Sequence, residues 1–78
     1  MKLYIYKLGE TIYEGEASSI NLPGEDGQLT ILDHHIPLVT YLKTGIIHFT
    51  NGAKNLTKLD IKGGFAEIKP EKVILLVE

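Results

Sequence analysis

Ile46-Ile47-His48-Phe49-Thr50-Asn51-Gly52 is the stretch on which the fold turns. A run of β-branched and aromatic residues ends in Asn-Gly, the strongest short-range signal for a type I′ hairpin, in which both central residues take positive φ. A return strand is therefore expected over roughly Lys54 to Lys62, with Thr57, Leu59 and Ile61 inward and Lys58, Asp60 and Lys62 outward. Outward from that hairpin, the same grammar recurs. Lys2 to Leu8 reads as a strand with Leu3 and Ile5 on one face and Tyr4, Tyr6 and Leu8 on the other, closed by Gly9-Glu10. Thr11 to Leu22 is a second extended run, in which Gly15 predicts a bulge or bend. Pro23-Gly24-Glu25-Asp26-Gly27 reads as a loop, with both glycines in unusual dihedrals, and Leu29–Leu32 and Leu38–Leu42 as short strands around an irregular Asp33–Pro37. Gly63-Gly64 and Lys69-Pro70-Glu71-Lys72 read as turns, and Val73 to Val77 as the last strand.

Eight to ten short strands with turn signals every eight to twelve residues predict one all-β domain, a flattened antiparallel sandwich or barrel, over residues 1–78. With 78 residues, a single domain is all the chain accommodates, and 44% apolar composition supplies its core. Composition excludes several classes. No cysteine means no disulfide scaffold, thiolate zinc site or cysteine nucleophile. The longest apolar runs are about five residues, against the ~20 a membrane-spanning helix needs, so no membrane insertion is expected. A net charge of −2 with no arginine argues against nucleic-acid binding.

Catalytic readings find little support. Asp33, His34 and His35 adjoin and His48 lies further on, but neighbours in an extended chain point to opposite sides, so His34 and His35 do not readily share a metal. Glu10, Glu14, Glu16, Glu25 and Asp26 offer carboxylates for glycoside chemistry, yet read more simply as solvated edge and loop charges. Ser18-Ser19 sits inside a predicted strand without a nucleophile elbow, and no helix follows Gly63-Gly64 to bind an anion. Tyr4, Tyr6, Tyr13 and Tyr41 read as sheet packing or, failing that, interface anchors. No enzyme activity, cofactor, metal or small-molecule substrate is expected.

One resemblance is more specific. Leu22-Pro23-Gly24-Glu25-Asp26-Gly27, Ile31-Leu32, His35-Ile36-Pro37-Leu38, Leu42-Lys43 and Gly45, then Gly63-Gly64-Phe65-Ala66-Glu67-Ile68 with Val73 and Leu75, resemble in order the N-terminal domain of the epsilon subunit of rotary F-type ATP synthases. Glu14-Gly15 falls where that family carries a Phe-x-Gly or Phe-Glu-Gly stretch. The resemblance implies a ten-stranded sandwich on the rotor's central stalk, peripheral to the energy-coupling membrane on its cytoplasmic or stromal side. Such a domain docks on the gamma subunit and on the membrane ring of c subunits, and couples rotation without chemistry of its own. Carried over position by position, the partner-facing residues fall on Gln28, Leu29, Asp33, His34, His35 and Pro37, expected as loop and turn positions at one end of the sandwich.

Three departures from the family pattern bear on partner contact. Position 28, often acidic, is Gln; position 30, commonly Gly, is Thr; and the Pro-Gly before the histidine is Asp33-His34, with Asp33 a local replacement for the lost carboxylate. Many family members also continue into a two-helix inhibitory region, which the sequence ending at Glu78 is not expected to provide. Whether that shortness is natural stays open, as does the alternative of a free-standing sandwich that binds a small ligand or another protein through the Pro23–Gly27 and Asp33–Pro37 loops.

Overall fold

Alternation of apolar and polar residues is realised as strand pairing in the computed structural model, which describes every residue from Met1 to Glu78. Eight strands form and no helix: β1 (Lys2–Lys7), β2 (Glu10–Gly24), β3 (Gly27–Leu32), β4 (Leu38–Leu42), β5 (Gly45–Asn51), β6 (Leu56–Ile61), β7 (Gly64–Ile68) and β8 (Lys72–Val77). The all-β expectation holds. The long β2 serves both layers: residues 10–16 pair with β1, residues 19–24 pair with β3 on one side, and residues 17–21 pair with β5 on the other. One layer is thus β1-β8-β7-β4, and the second β3-β2-β5-β6, closed against each other through β1–β2 and a Gly24–Leu42 bridge. The molecule is flattened, 27 × 25 × 19 Å.

The core is the inward set of both layers, led by Leu3, Ile5, Ile20, Leu22, Ile31, Ile47, Ile68, Val73 and Leu75, all essentially inaccessible, and no polar side chain is buried with them. Leu3 and Ile5 share the inward face of β1, as their spacing predicts. Leu59 and Ile61 of β6 do the same, while Thr57 stays exposed.

Four local expectations are corrected. The sheet is mixed: β1 and β8 pair in parallel, Leu3 beside Val73 and Ile5 beside Leu75. First and last strands share no hairpin, so no turn dictates their relative direction. The bulges lie at Ile12 and Ser18 and not at Gly15, which pairs with Leu3. Gly15 serves a close approach instead, since a Cβ there would stand 3.0 Å from the Tyr13 hydroxyl. Pro23 and Gly24 continue β2, leaving only Glu25-Asp26 as turn; Gly27 alone takes positive φ (131°), and Gly24 admits the carbonyl of Gly27 at 2.7 Å from where a Cβ would stand.

The Asn51-Gly52 hairpin forms with a longer loop than a type I′ turn. Its left-handed residue is Lys54, at φ 65°. Asn51 Oδ1 accepts from the N–H groups of Ala53 (2.9 Å) and Asn55 (3.0 Å), so the asparagine organises the loop with its side chain.

Candidate functional site

Because successive side chains alternate in direction, each layer has an outward face whose rows follow from the register. Across β1-β8-β7-β4, one row reads Tyr6–Leu76–Phe65–Tyr41 and the next Tyr4–Ile74–Glu67–Val39. Seven of these eight side chains are aromatic or aliphatic. Leu76, Val39 and Tyr41 are 50%, 58% and 63% exposed. Tyr4 and Tyr6 stack at 6.3 Å between centroids, Phe65 meets Tyr41 edge-on at 5.4 Å, and the Lys72 ammonium lies 5.7 Å from the Tyr4 ring centre. Single exposed apolar residues are ordinary on a soluble surface; a contiguous apolar face marks an interaction site.

The outward face of β3-β2-β5-β6 is different. Its central row reads Thr30–Asn21–His48–Lys58, and Thr30 Oγ1 donates to Asn21 Oδ1 at 2.7 Å. The only sizeable apolar groups there are at the margins, Leu32, Ile46 and Leu56.

The six residues singled out in the sequence do not form one cluster. Gln28 and Leu29 lie in strand β3 beside Pro23 and Leu22, not in a loop, and line a shallow groove with Leu38 and Thr40. Asp33 and His34 turn at the opposite end of β3, roughly 17 Å of extended strand away. The expectation of a single end of the sandwich is therefore corrected: Gln28 and Leu29 lie near the start of β3, and the Asp33–Pro37 turn follows its far end. His34 is left-handed (φ 62°) and donates its N–H to the Pro70 carbonyl at 3.0 Å. His35 is half-buried, its Nδ1 2.8 Å from the Ile36 carbonyl, while Ile36 and Pro37 are exposed. His48 is on β5 in the other layer's central row, apart from this turn, and no three His, Asp or Glu groups gather anywhere in the structure.

Asp33 already has a partner within its own chain. Its Oδ1 accepts from the Met1 amino group at 2.7 Å, and that nitrogen also donates to the Ala17 carbonyl at 3.0 Å with Glu16 Oε1 3.8 Å away. The hydrogen bond, and then the charge of the amine, hold the Asp33 carboxyl below its usual range. The carboxylate expected to replace a charge locally is thus already engaged by the Met1 amine of its own chain.

Sequence reasoning missed the apolar face of β1-β8-β7-β4. The signal was present: in Leu3-Tyr4-Ile5-Tyr6 and Val73-Ile74-Leu75-Leu76-Val77, both parities are apolar, whereas a solvated antiparallel face alternates.

The family described as "ATP synthase, Delta/Epsilon chain, beta-sandwich domain" matches residues 1–78, the whole chain. The chain belongs to that family. Among its relatives, the ATP synthase epsilon chain of Sulfurimonas denitrificans is 40% identical over 78 residues, covering all of this chain and 60% of that protein. The epsilon chain of Hydrogenobaculum sp. is 40% identical over 67 residues, 86% of this chain and 48% of that one. The chain thus spans about half to three-fifths of the length of these family members. In solved structures, a chain of the Euglena gracilis mitochondrial ATP synthase (OSCP/F1/c-ring) superposes with a TM-score of 0.85 at 23% identity, over 96% of this chain and 48% of that one. A chain of the Tetrahymena thermophila mitochondrial ATP synthase central stalk and c-ring gives 0.78 at 18% identity, over 99% of this chain and 62% of that one. At such identities the superpositions establish the shared sandwich fold.

Proposed function

We propose that this sandwich works as a non-catalytic coupling module in the central stalk of an ATP synthase, docking on the gamma subunit through the outward face of β1-β8-β7-β4. The observation that carries the reading is that face itself: seven aromatic and aliphatic side chains in two cross-strand rows, left open by a fold whose opposite face is polar. Family membership and likeness to chains of central-stalk assemblies support the choice of partner. Aromatic anchors in a partly apolar patch are the usual energetic centre of a protein interface.

The membrane ring is the second partner, met by Gln28 and Leu29 and by the turn that carries Asp33, His34, His35 and Pro37. Gln28, Ile36 and Pro37 are exposed there, whereas Asp33 is held by the Met1 amine and serves to fix the turn. In this reading the domain carries out no chemistry, takes no cofactor and sits peripherally on the energy-coupling membrane as part of the complex.

Size-exclusion co-elution with the cognate gamma subunit, followed by hydrogen exchange on the complex, tests it. Co-elution with new protection along β4, β7 and β8 is expected. Absence of binding to folded gamma, or protection confined to β5 and β6, refutes the docking face and leaves a free-standing binding module as the alternative.

A further inference from the structure

The turn between β1 and β2 is built from Leu8 and Gly9, with φ of 29° and 72°. Two successive left-handed residues are the requirement of a type I′ turn, which Asn-Gly or Gly-Gly meets most readily. Glycine fits the second position without strain. Leucine at the first does not, because its Cβ crowds the backbone in that conformation. Residues held this way persist where their surroundings over-determine them, and a buried side chain is the usual reason. Leu8 has no such reason inside the molecule: it is 95% exposed, the most exposed large apolar residue of the chain. Its position is nevertheless specific. Leu8 borders the groove lined by Tyr6, Tyr41, Phe65 and Leu76 at the rim of the apolar face, and on its other side a groove floored by Ile46 and Ile61.

We infer that Leu8 is an interface anchor, held in a left-handed turn so that its side chain stands out from the rim of the apolar face and inserts into an apolar recess of the docked gamma subunit. The inference rests on the docking reading above. Strand parity alone would put Leu8 on the face of Tyr4 and Tyr6, but β1 ends at Lys7 and Leu8 belongs to the turn; the inference assigns the backbone strain there to binding. A β-hairpin tip that presents a lone leucine beside two aromatic rows gains contact area in the bound state alone, so its strain goes uncompensated in the free domain.

Two substitutions separate strain from docking. Leu8→Asn restores the turn's preferred residue and is expected to raise the folded-to-unfolded ratio of the free domain by about three- to ten-fold, while weakening gamma binding by about ten-fold. Leu8→Met keeps an apolar side chain and is expected to retain most of the affinity. Tyr41→Glu, at the centre of the face, is measured alongside. If Tyr41→Glu weakens binding about thirty-fold and Leu8→Asn does not weaken it, the anchor inference fails and the docking face stands. If neither weakens binding, the docking face fails and the anchor falls with it. If Leu8→Asn destabilises the free domain, the strain on which the inference is built is absent, and that result overturns it too.

Discussion

The outward face of β1-β8-β7-β4 carries two rows of aromatic and aliphatic side chains, whereas that of β3-β2-β5-β6 carries Thr30, Asn21, His48 and Lys58 across its middle. Both layers are built alike. Each sends every second side chain into one shared core, and each satisfies its backbone by the same ladders. The polar layer shows that hydroxyls, amides and charges outward are sufficient for a layer of this sandwich to pair and pack. Apolar residues on an outward face are thus not a requirement of this architecture, and the proposed docking accounts for their place on the other layer.

The sharpest way to break this comparison uses two neighbours on β8. Leu75 is fully buried and Leu76 is half-exposed on the apolar face. Leu75→Ala deletes core atoms and is expected to destabilise the domain by about 2–5 kcal/mol, enough to unfold much of a small domain at ambient temperature. Leu76→Ala should shift stability by only about 0.5 kcal/mol. Chemical denaturation of the two variants measures both. Equal losses would mean that the outward face belongs to the folded state's own packing, and the distinction between the layers would collapse.

Next in size is the effect on binding. A carboxylate introduced at Tyr41 is buried without a partner on docking, and about a thirty-fold loss of gamma affinity is expected, that of a central anchor. Thr30→Glu, the same change on the polar face, should leave affinity within about two-fold. Calorimetry of both variants sharpens the comparison, and a larger loss from Thr30→Glu would reverse the assignment of faces.

How much of this was legible in the sequence depended on whether the signal was local. Strand existence was: β-branched runs, Pro70 in a turn and alternation in Lys2–Lys7 all map onto the observed elements. Turn detail was less so, because competing local chemistry decides it. Asn51 turned out to cap a longer loop with its side chain, and a left-handed tip formed at Leu8-Gly9, where no asparagine marks it. The parallel β1–β8 pair and the splitting of Gln28 from Asp33 are long-range outcomes that no short pattern encodes. The apolar outward face lay between these cases: both parities of β1 and β8 are apolar, but only the register shows that their outward residues align with Phe65 and Tyr41 in one row.

A smaller effect is expected in the polar layer's hairpin. Asn51→Ala removes the acceptor for the Ala53 and Asn55 N–H groups, both at an exposed loop where water replaces it in part. A loss of about 0.5–1.5 kcal/mol follows, with faster amide exchange confined to residues 52–55. If exchange instead accelerates along β1 and β8, the two layers are coupled more tightly than their separate faces imply.

The smallest expected effect lies at the seam between the layers. Met1 leads into β1 and Asp33 follows β3, so the ion pair between them joins one layer to the other, with Ala17 of β2 as the third member. The amine's hydrogen bond, then its charge, lowers the Asp33 pKa in the folded state from an ordinary value of 3.8. A depressed carboxylate pKa means that the unfolded chain takes up the proton first as pH falls. The pair's contribution is thus fully present above the unfolded value and is lost as pH drops through the lower folded value. Asp33→Asn should consequently differ most from the parent at neutral pH, and the two stability curves should converge in acid below that range. Added salt should narrow the neutral-pH gap in part, since the Asp33 carboxylate is exposed while the Met1 end of the pair is shielded. Curves that stay parallel into acid would show that Asp33 positions the turn by its hydrogen bond alone, leaving the layers joined by backbone bonds such as those of β1–β2, Gly24–Leu42 and His34–Pro70.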